Sequence, residues 1–387
     1  MGGETTSVFL RRRRRKVLAL SAGLVLVAVA VVVAVDRPTS SSAADGQTRT
    51  YYIAADPVDW DYAPSGKNEL GAHFEADAGT FLDHGDDRIG HIDRKSVYRQ
   101  YTDGTFKTLV PRPPAWAHLG MLGPPIHAVV GDTIKVEFKN NTPFPASVHP
   151  HGVLYDKGSE GADYEDGTSG ADKADDAVPE GGQHTYTWDV PERAGPAMHD
   201  ESSVLWAYHS HTDEITDTNA GLIGPLIVTR KGMARPDGSP KDVEREVVTL
   251  FNIYDENLSP WLDWNIEHHT GKPTEVKKDD AEFKESNLKH SINGYLFGNM
   301  PGLDFKRGEK IRWYVFGSGT ETGLHTPHWH GNTVVSMGQR MDMLDILPMT
   351  MKTADMVPDA PGTWLYHCHV EDHMLRGMIG LYRVSRR

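Results

Sequence analysis

The sequence contains very little cysteine, and its basic residues are fewer than its acidic residues. Cys368 is the single cysteine among 387 residues, so no disulfide can form within the chain. The 54 aspartates and glutamates outnumber the 40 lysines and arginines. This acidic balance argues against a nucleic-acid-binding surface, which is usually basic. Long amphipathic helical patterns are also missing, whereas 38 glycines and 24 prolines are present, and together these features favour a turn-rich β protein.

A long apolar run occurs at the N-terminus. Residues 11–16 are all basic, residues 17–35 carry no charge, and residues 42–44 are small. This order is typical of an export signal, and Arg14-Arg-Lys-Val-Leu18 resembles a twin-arginine signal. We expect residues 1–44 to direct export and then to be cleaved, or to remain as a membrane anchor, because the run is long enough to span a bilayer. The rest of the chain would then work outside the cytoplasm, secreted or on the outer face of the membrane.

The remaining chain consists of short alternating segments separated by glycine and proline, which predict β-strands. Examples are residues 133–139, 184–190, 310–316 and 380–384. A charged stretch rich in glycine and proline, residues 231–245, is predicted to be a linker between two halves.

The two halves repeat the same histidine motifs. The first half contains His149-Pro-His-Gly152 and Trp206-Ala-Tyr-His-Ser-His211, and the second contains His328-Trp-His-Gly331 and Trp364-Leu-Tyr-His-Cys-His369. An internal repeat of this size predicts two tandem β-sandwich domains. We place them at residues 45–230 and 246–387.

The motif that best indicates the chemistry of the protein is the His-x-His pair, which occurs four times in the sequence. Chance placement of 20 histidines in 387 positions would give about one such pair. Residues i and i+2 of a strand point to the same face, so each pair directs two imidazoles to one place. Imidazole binds Cu, Zn, Fe and Ni alike, so the pairs predict a metal site without naming the metal. The pairs are His149/His151, His209/His211, His328/His330 and His367/His369.

Cys368 narrows the choice of metal. It lies between the two histidines of the fourth pair, so its side chain points to the opposite face of the strand. Two histidines, His325 and His373, and one methionine, Met378, are near it in the sequence. Two His, one Cys and one Met form the ligand set of a blue-copper centre, whereas one thiolate does not make an iron–sulfur cluster. The sequence therefore predicts a type 1 copper behind the fourth pair.

These motifs resemble the copper motifs of the multicopper oxidases. The resemblance is clearest in Leu324-His-Thr-Pro-His-Trp-His-Gly331 and Tyr366-His-Cys-His-Val-Glu-Asp-His-Met-Leu-Arg-Gly-Met378, and it covers nearly all of residues 50–385. Tyr51-Tyr-Ile-Ala-Ala55 is similar to the ceruloplasmin-like branch, and the length is that of the two-domain small laccases. The resemblance implies an all-β fold of two tandem cupredoxin-like β-sandwich (Greek-key) domains. It also implies an oxidase that couples four one-electron oxidations at the type 1 copper to the reduction of O₂ to water at a trinuclear copper cluster.

The resemblance further implies a role for each ligand, with four coppers per active unit. The type 1 copper would be bound by His325, Cys368 and His373, with Met378 as the weak axial ligand. The type 2 copper would be bound by His149 and His328. The two type 3 coppers would be bound by His151, His209, His211, His330, His367 and His369.

The first half contributes only to the trinuclear cluster, since the alignment of the halves leaves it without type 1 ligands. Opposite the four type 1 positions stand Ala146, Ser210, Ile215 and Ala220. In small laccases the cluster forms between domain one of one subunit and domain two of the next, so the resemblance implies a homotrimer. Tyr155 is expected beside the cluster as a redox-active tyrosine, as in small laccases. The acidic loop at residues 156–176 is expected to be solvated, with a Ca²⁺ at Asp175 and Asp176.

The electron donor stays open between three classes. Fe(II) is indicated by Glu285, His290 and Asp372, which resemble the iron-binding residues of ceruloplasmin. A phenol would need only an open approach to His373. Cu(I) is indicated by six methionines within residues 337–356, because thioethers favour Cu(I). The competing functions are a copper nitrite reductase, which would carry its type 1 copper in domain one, and copper storage or electron transfer without catalysis. Neither needs eight paired histidines.

Overall fold

The computed structural model describes residues 46–75, 77–320 and 323–386. The predicted export signal therefore lies outside the described residues. In the described part, no helix is long and apolar enough to cross a membrane. The longest α-helix of that part has only eight residues, in agreement with the missing amphipathic patterns.

Strands dominate both halves. The first half contains β1 (Thr48–Asp61), β2 (Ile92–Tyr101), β3 (Ile126–Val129), β4 (Thr133–Asn140), β5 (His149–Pro150), β6 (Gln183–Asp189), β7 (Ser203–His209) and β8 (Ile223–Thr229). The second half contains β9 (Arg245–Asp255), β10 (Leu288–Ile292), β11 (Asp304–Lys306), β12 (Ile311–Gly317), β13 (Pro327–Trp329), β14 (Val334–Ser336), β15 (Gln339–Met341), β16 (Met351–Met356), β17 (Gly362–Cys368) and β18 (Ile379–Ser385). The short α-helices are α1 (Ala78–Leu82), α2 (Glu214–Ala220), α3 (Leu262–His269), α4 (Ala281–Ser286) and α5 (Glu371–Leu375).

Each half is a sandwich of two sheets. The first half has the strand orders β2-β1-β4-β6 and β3-β8-β7-β5, and the second has β10-β9-β12-β16-β14-β15 and β11-β18-β17-β13. The prediction of two tandem cupredoxin-like β-sandwiches is confirmed. Between them, residues 231–244 form no helix or strand beyond an isolated bridge between Ala234 and Pro240.

A third apolar cluster lies between the two sandwiches. Strand β12 contributes both to this cluster and to the core of the second sandwich, because all seven of its residues are buried. Trp313 and Val315 pack in the core of the second sandwich, while Tyr314 and Phe316 point to the other face and pack against Leu205 and other residues of the first half. Side chains alternate along a strand, so a strand that is apolar on both faces needs two cores. The sandwiches therefore share buried surface.

Charged groups are also buried at this boundary. The side chains of Lys95 and Glu256 are fully buried and form an ion pair, and the hydroxyl of Tyr62 donates to the same carboxylate at 2.5 Å. A second buried ammonium, that of Lys289, donates to three backbone carbonyls: Phe81 (3.1 Å), Gly90 (2.7 Å) and Ser286 (2.8 Å). A buried cation is costly unless it is fully hydrogen-bonded. These contacts therefore fix the start of β10 against the first half.

The glycine of each His-x-His-Gly motif is required by a tryptophan. Gly331 has φ +71°, and a Cβ there would lie 2.6 Å from the Trp364 ring. Gly152 repeats this arrangement, with φ +80° and a Cβ position 2.3 Å from the Trp206 ring. The Trp364 indole cannot move away easily, because its Nε1 donates to the carbonyl of Ala360 at 2.9 Å. Only glycine fits at these two positions.

We expect Gly331→Ala to lower the free energy of unfolding by about 2–4 kcal/mol, because a left-handed backbone and an overpacked methyl each cost about 1–3 kcal/mol. Gly338→Ala is the matched control, since Gly338 has φ +74° but nothing within 4 Å of its Cβ position. The control should lose only the backbone cost, about 1–2 kcal/mol. Denaturant unfolding of the copper-free proteins measures both values, and equal losses would contradict the role of Trp364.

Candidate metal centres

Equivalent strand pairs bring the histidines together in the two halves. In the first half β5 pairs with β7 so that His149 lies opposite His209. In the second half β13 pairs with β17 so that His328 lies opposite His367. The predicted repeat is therefore present in the strand register as well as in the sequence.

The first quartet consists of His149, His151, His209 and His211. The Nε2 atoms of His151 and His209 are 3.1 Å apart, and the His149 ring centroid is 5.2 Å from that of His211. One ligand atom from each of His149, His151 and His209 lies within 4.8 Å of the others. This spacing allows a metal ion to be shared.

The second quartet consists of His328, His330, His367 and His369. The Nε2 atoms of His330 and His367 are 3.0 Å apart, and Nδ1 of His328 is 3.3 Å from Nε2 of His367. The ring of His369 lies 5.3 Å from that of His328. This quartet repeats the arrangement of the first.

Backbone carbonyls orient several of these rings. The Nδ1–H groups donate as follows: His149 to Glu160 (2.7 Å), His209 to Ser210 (3.0 Å) and His367 to Cys368 (2.7 Å). Each bond leaves Nε2 free to accept a metal. Burial lowers the pKa of His209 to about 3 and that of His151 to about 4. These imidazoles are neutral at pH 7 and keep the lone pair that a metal needs.

A third group lies on the opposite face of β17. The Sγ atom of Cys368 is 3.8 Å from Nδ1 of His325 and 3.7 Å from Nδ1 of His373. The three side chains are buried, as is Met378. The backbone N–H of Thr326 donates to Sγ at 3.4 Å. Burial raises the pKa of the Cys368 thiol, so a bound cation would be needed to hold the thiolate at neutral pH.

The positions of the first half that correspond to this group carry side chains that are hydrogen-bonded within the protein or exposed. Ser210, opposite Cys368 in the repeat, donates its hydroxyl to Asp217 at 2.6 Å and accepts from the backbone N–H of Ser147 at 3.0 Å. Ile215, opposite His373, is 61% exposed. These side chains offer no thiolate or imidazole for a type 1 copper.

The two quartets remain apart within one chain. Across residues 46–75, 77–320 and 323–386, no hydrogen bond or ring contact joins a histidine of the first quartet to one of the second. The three groups of close ligand atoms found there each belong to one half. One chain therefore presents two separate half-sites and one additional centre.

Tyr155 lies beside the first quartet, with its ring centroid 5.9 Å from that of His149 in an edge-to-face contact.

The acidic loop at residues 156–176 was expected to be solvated. This expectation is wrong for Asp175, which is fully buried and accepts from the backbone N–H of Gly161 at 2.7 Å. The loop packs inward because the Glu160 carbonyl accepts from His149. Asp176 pairs with the ammonium of Lys173 at 3.3 Å. The Ca²⁺ site at Asp175 and Asp176 stays a prediction, and Oδ1 of Asp175 is buried without a hydrogen-bond partner.

A cavity of about 260 Å³ adjoins the Cys368 centre. Of the predicted donor residues, His290 and Asp372 line it together with His373, whereas Glu285 does not. The His290 ring lies 5.4 Å from that of His373, and both of its nitrogens are buried without a partner. Burial, followed by the nearby His373 and Arg376, lowers the pKa of His290 to about 3. The cavity therefore contains a neutral imidazole that lacks a hydrogen-bond partner.

Sequence reasoning missed several acids near these centres. Asp255 at the end of β9 also lines the cavity. Glu214 lies 3.4 Å from Nε2 of His211, and Asp342 lies 3.7 Å from Nε2 of His328. The i, i+3 spacing of His211 and Glu214 was a usable signal at a helix start. Asp255 lies at the end of β9 and Asp342 directly follows β15, and no local pattern indicates either of them.

Comparisons with known proteins agree with this arrangement. Residues 103–232 and residues 268–387 each match a multicopper oxidase domain family, and together the two matches cover more than half of the chain. The chain belongs to the multicopper oxidase family. Human ferroxidase HEPHL1 is 47% identical over 87% of this chain and 29% of its own length. Human ceruloplasmin is 42% identical over 87% of this chain and 30% of its own length.

The chain therefore spans less than a third of the length of these curated relatives. The solved structure of the multicopper oxidase mgLAC aligns with a TM-score of 0.56 at 18% identity, over 88% of this chain and 87% of that one. At this identity the likeness concerns the fold alone.

Copper is the cofactor that the family implies, and the donor atoms of this multicopper oxidase fit it. Imidazole suits copper, and two imidazoles and one thiolate with a weak thioether form the ligand set of a blue-copper site, whereas the thioether is not a usual zinc ligand. The buried imidazoles are held neutral, and His325 and His373 both turn Nδ1 towards Sγ of Cys368. The assignment of each residue to a particular copper stays a prediction from the family resemblance.

Proposed function

We propose that this multicopper oxidase oxidises Fe(II) outside the cytoplasm and passes the electrons to O₂. Four Fe(II) ions would give one electron each, and O₂ with four protons would become two waters. Copper, when bound, supplies the one-electron steps and the pooling of four electrons that this balance requires. The observation that carries the choice of donor is the acidic cavity beside His373.

The chemistry of the cavity favours a metal ion over a neutral organic donor. Two carboxylates, Asp255 and Asp372, line it, and His290 adds an unpartnered imidazole. Hard carboxylate oxygens bind iron and favour Fe(III), which makes Fe(II) easier to oxidise. Relatives named ferroxidase and ceruloplasmin support the same donor.

The path for electrons from a donor in the cavity to the Cys368 centre is short. The His373 ring lines the cavity and turns its Nδ1 towards Sγ of Cys368. The neighbours of Cys368 in the chain, His367 and His369, belong to the second quartet. A single stretch of backbone therefore connects the donor cavity with the histidines proposed to hold the trinuclear cluster.

The other donors and functions have less support. The methionines proposed for Cu(I) are split, since Met356 is buried in the second core while Met337 is 65% exposed. A nitrite reductase would need its type 1 copper in the first half, where Ser210 is bonded to Asp217. A phenol remains the second candidate, because the cavity leads directly to His373.

We further propose that the active unit is an exported homotrimer. The separation of the two quartets within one chain supports a cluster built from the first quartet of one subunit and the second quartet of the next. Such a head-to-tail contact closes as a ring. Export rests on the pattern of residues 1–44.

The donor proposal predicts a selective loss of Fe(II) oxidation. The triple variant Glu285→Ala, His290→Ala, Asp372→Ala should lose Fe(II) turnover while it keeps most of its phenol turnover. Each charge-assisted contact is worth about 1.5–3 kcal/mol, roughly a tenfold to hundredfold rate effect. Steady-state rates with Fe(II), a phenol and Cu(I), measured side by side, provide the comparison.

Glu282→Ala is the control, because Glu282 lies on the same helix as Glu285 but pairs with Arg88 at 3.2 Å. It should leave both rates unchanged. Equal losses with Fe(II) and phenol in the triple variant would point to damage at the Cys368 centre. No loss with either donor would favour the phenol proposal.

A further inference from the structure

An arginine lies among the acidic residues of the cavity beside His373, which is called the donor cavity below. Arg376 follows α5 directly, one helical turn after His373, and it lines the cavity together with Asp372 and Asp255. Its Nη1 atom forms an ion pair with Oε1 of Glu285, at the end of α4. The pair therefore connects the helix that carries Glu285 with the helix that carries Asp372.

The pair is accessible to an incoming ion. The side chains of Arg376 and Glu285 are 35% and 36% exposed, so water and ions can reach both. Exposed ion pairs of this kind are weak and exchange readily. A divalent cation is attracted to the same carboxylates twice as strongly as the single charge of a guanidinium at equal distance. Fe(II) in the cavity and the Arg376 side chain would thus compete for Glu285.

The guanidinium charge is also felt by the rings that face the cavity. Arg376 lines the cavity together with both His290 and His373. It therefore opposes any additional cation held beside these imidazoles. The unpartnered nitrogens of His290 are the independent sign that a ligand belongs in the cavity.

We propose that Arg376 is an internal competitor of the donor, which holds Glu285 until a divalent cation displaces it. The inference rests on the proposed ferroxidase function and deepens it. In this arrangement Glu285 becomes a ligand only after the ion arrives, which explains why it does not line the cavity in this structure. The return of the guanidinium to Glu285 would also help to expel the oxidised ion.

The test uses Zn²⁺, which has the charge of Fe(II) and is not oxidised, added to the fully copper-loaded protein. We expect Arg376→Gln to bind Zn²⁺ about tenfold more tightly than the wild type, because a nearby positive charge is removed. Arg376→Met should do the same, and Arg376→Lys should stay close to the wild type. Calorimetry measures the affinity, and the blue absorption checks that each variant is folded.

Two controls locate the effect. Arg383→Gln makes the same change of charge on β18 at an exposed residue outside the cavity lining, and it should leave Zn²⁺ affinity unchanged. Glu285→Gln should weaken Zn²⁺ binding and remove the gain from Arg376→Gln when the two are combined. The KM for Fe(II) should fall in Arg376→Gln, whereas the KM for a phenol should not.

Unchanged or weaker Zn²⁺ binding in both Arg376→Gln and Arg376→Met would overturn the proposal, since Arg376 would then only hold Glu285 in place. Failure of the proposed function would look different, because the wild type would then oxidise a phenol but not Fe(II). In that case the Zn²⁺ titration still decides whether Arg376 competes with a cation.

Discussion

Cys368→Ser should remove the blue colour and abolish the oxidation of every donor. The intense band of a blue-copper protein arises from charge transfer between thiolate and Cu(II), and a serine hydroxyl cannot supply it. The side chain is buried, and its Sγ lies within 4 Å of the Nδ1 atoms of both His325 and His373. Electrons from the cavity would have no other thiolate to pass through, so the rates with Fe(II) and with a phenol should fall together.

The same variant should keep most of its remaining copper. The eight quartet histidines are not altered, so we expect about three of four coppers per chain to remain. Absorption spectra, copper analysis and O₂ uptake test these outcomes. Ser210→Ala is the matched control, because Ser210 occupies the equivalent position in the first half, and it should stay blue. A Cys368→Ser protein that stays blue would disprove the type 1 assignment.

Two inactive variants should restore activity when they are produced together. One variant carries His151→Ala and His209→Ala in the first quartet, and the other carries His328→Ala and His330→Ala in the second. If the cluster bridges subunits, every mixed trimer contains one junction where an intact first quartet meets an intact second quartet. Random association would make about a quarter of all junctions active, against almost none in either variant alone.

Recovery of O₂ uptake after co-expression would be measured together with the trimer mass by light scattering. The control is a chain that carries all four substitutions, which should not complement the first variant, because it lacks the intact first quartet that the first variant needs from a neighbouring subunit. Absence of recovery in well-formed mixed trimers would mean that each cluster is built within one chain. A fully active monomer would contradict the trimer directly.

The sequence predicted the histidine groups because strand geometry is local. A period of two directs both members of each pair to one face and Cys368 to the other, and the structure brings the paired strands into the same register, His149 with His209 and His328 with His367. The repeat supplied the architecture for the same reason, since each half contains its own motifs.

The residues that surround the histidine groups could not be predicted from strand periodicity. Asp255 reaches the cavity from β9, and Arg376 binds Glu285 across two helices that are far apart in the chain. The inward packing of the loop before Asp175 depends on a backbone carbonyl, that of Glu160, which any residue type could provide. Contacts of this kind join segments that are distant along the chain or use backbone atoms, and residue spacing encodes neither.

The apolar cluster between the sandwiches also constrains the order of maturation. Because Leu205 from one half and Tyr314 and Phe316 from the other share it, neither half can complete its burial before the whole chain has been synthesised. In the proposed trimer, a first quartet then waits for a neighbouring subunit before it can share a metal with a second quartet. Biogenesis would thus proceed from the folded chain to the ring and only then to the complete trinuclear cluster.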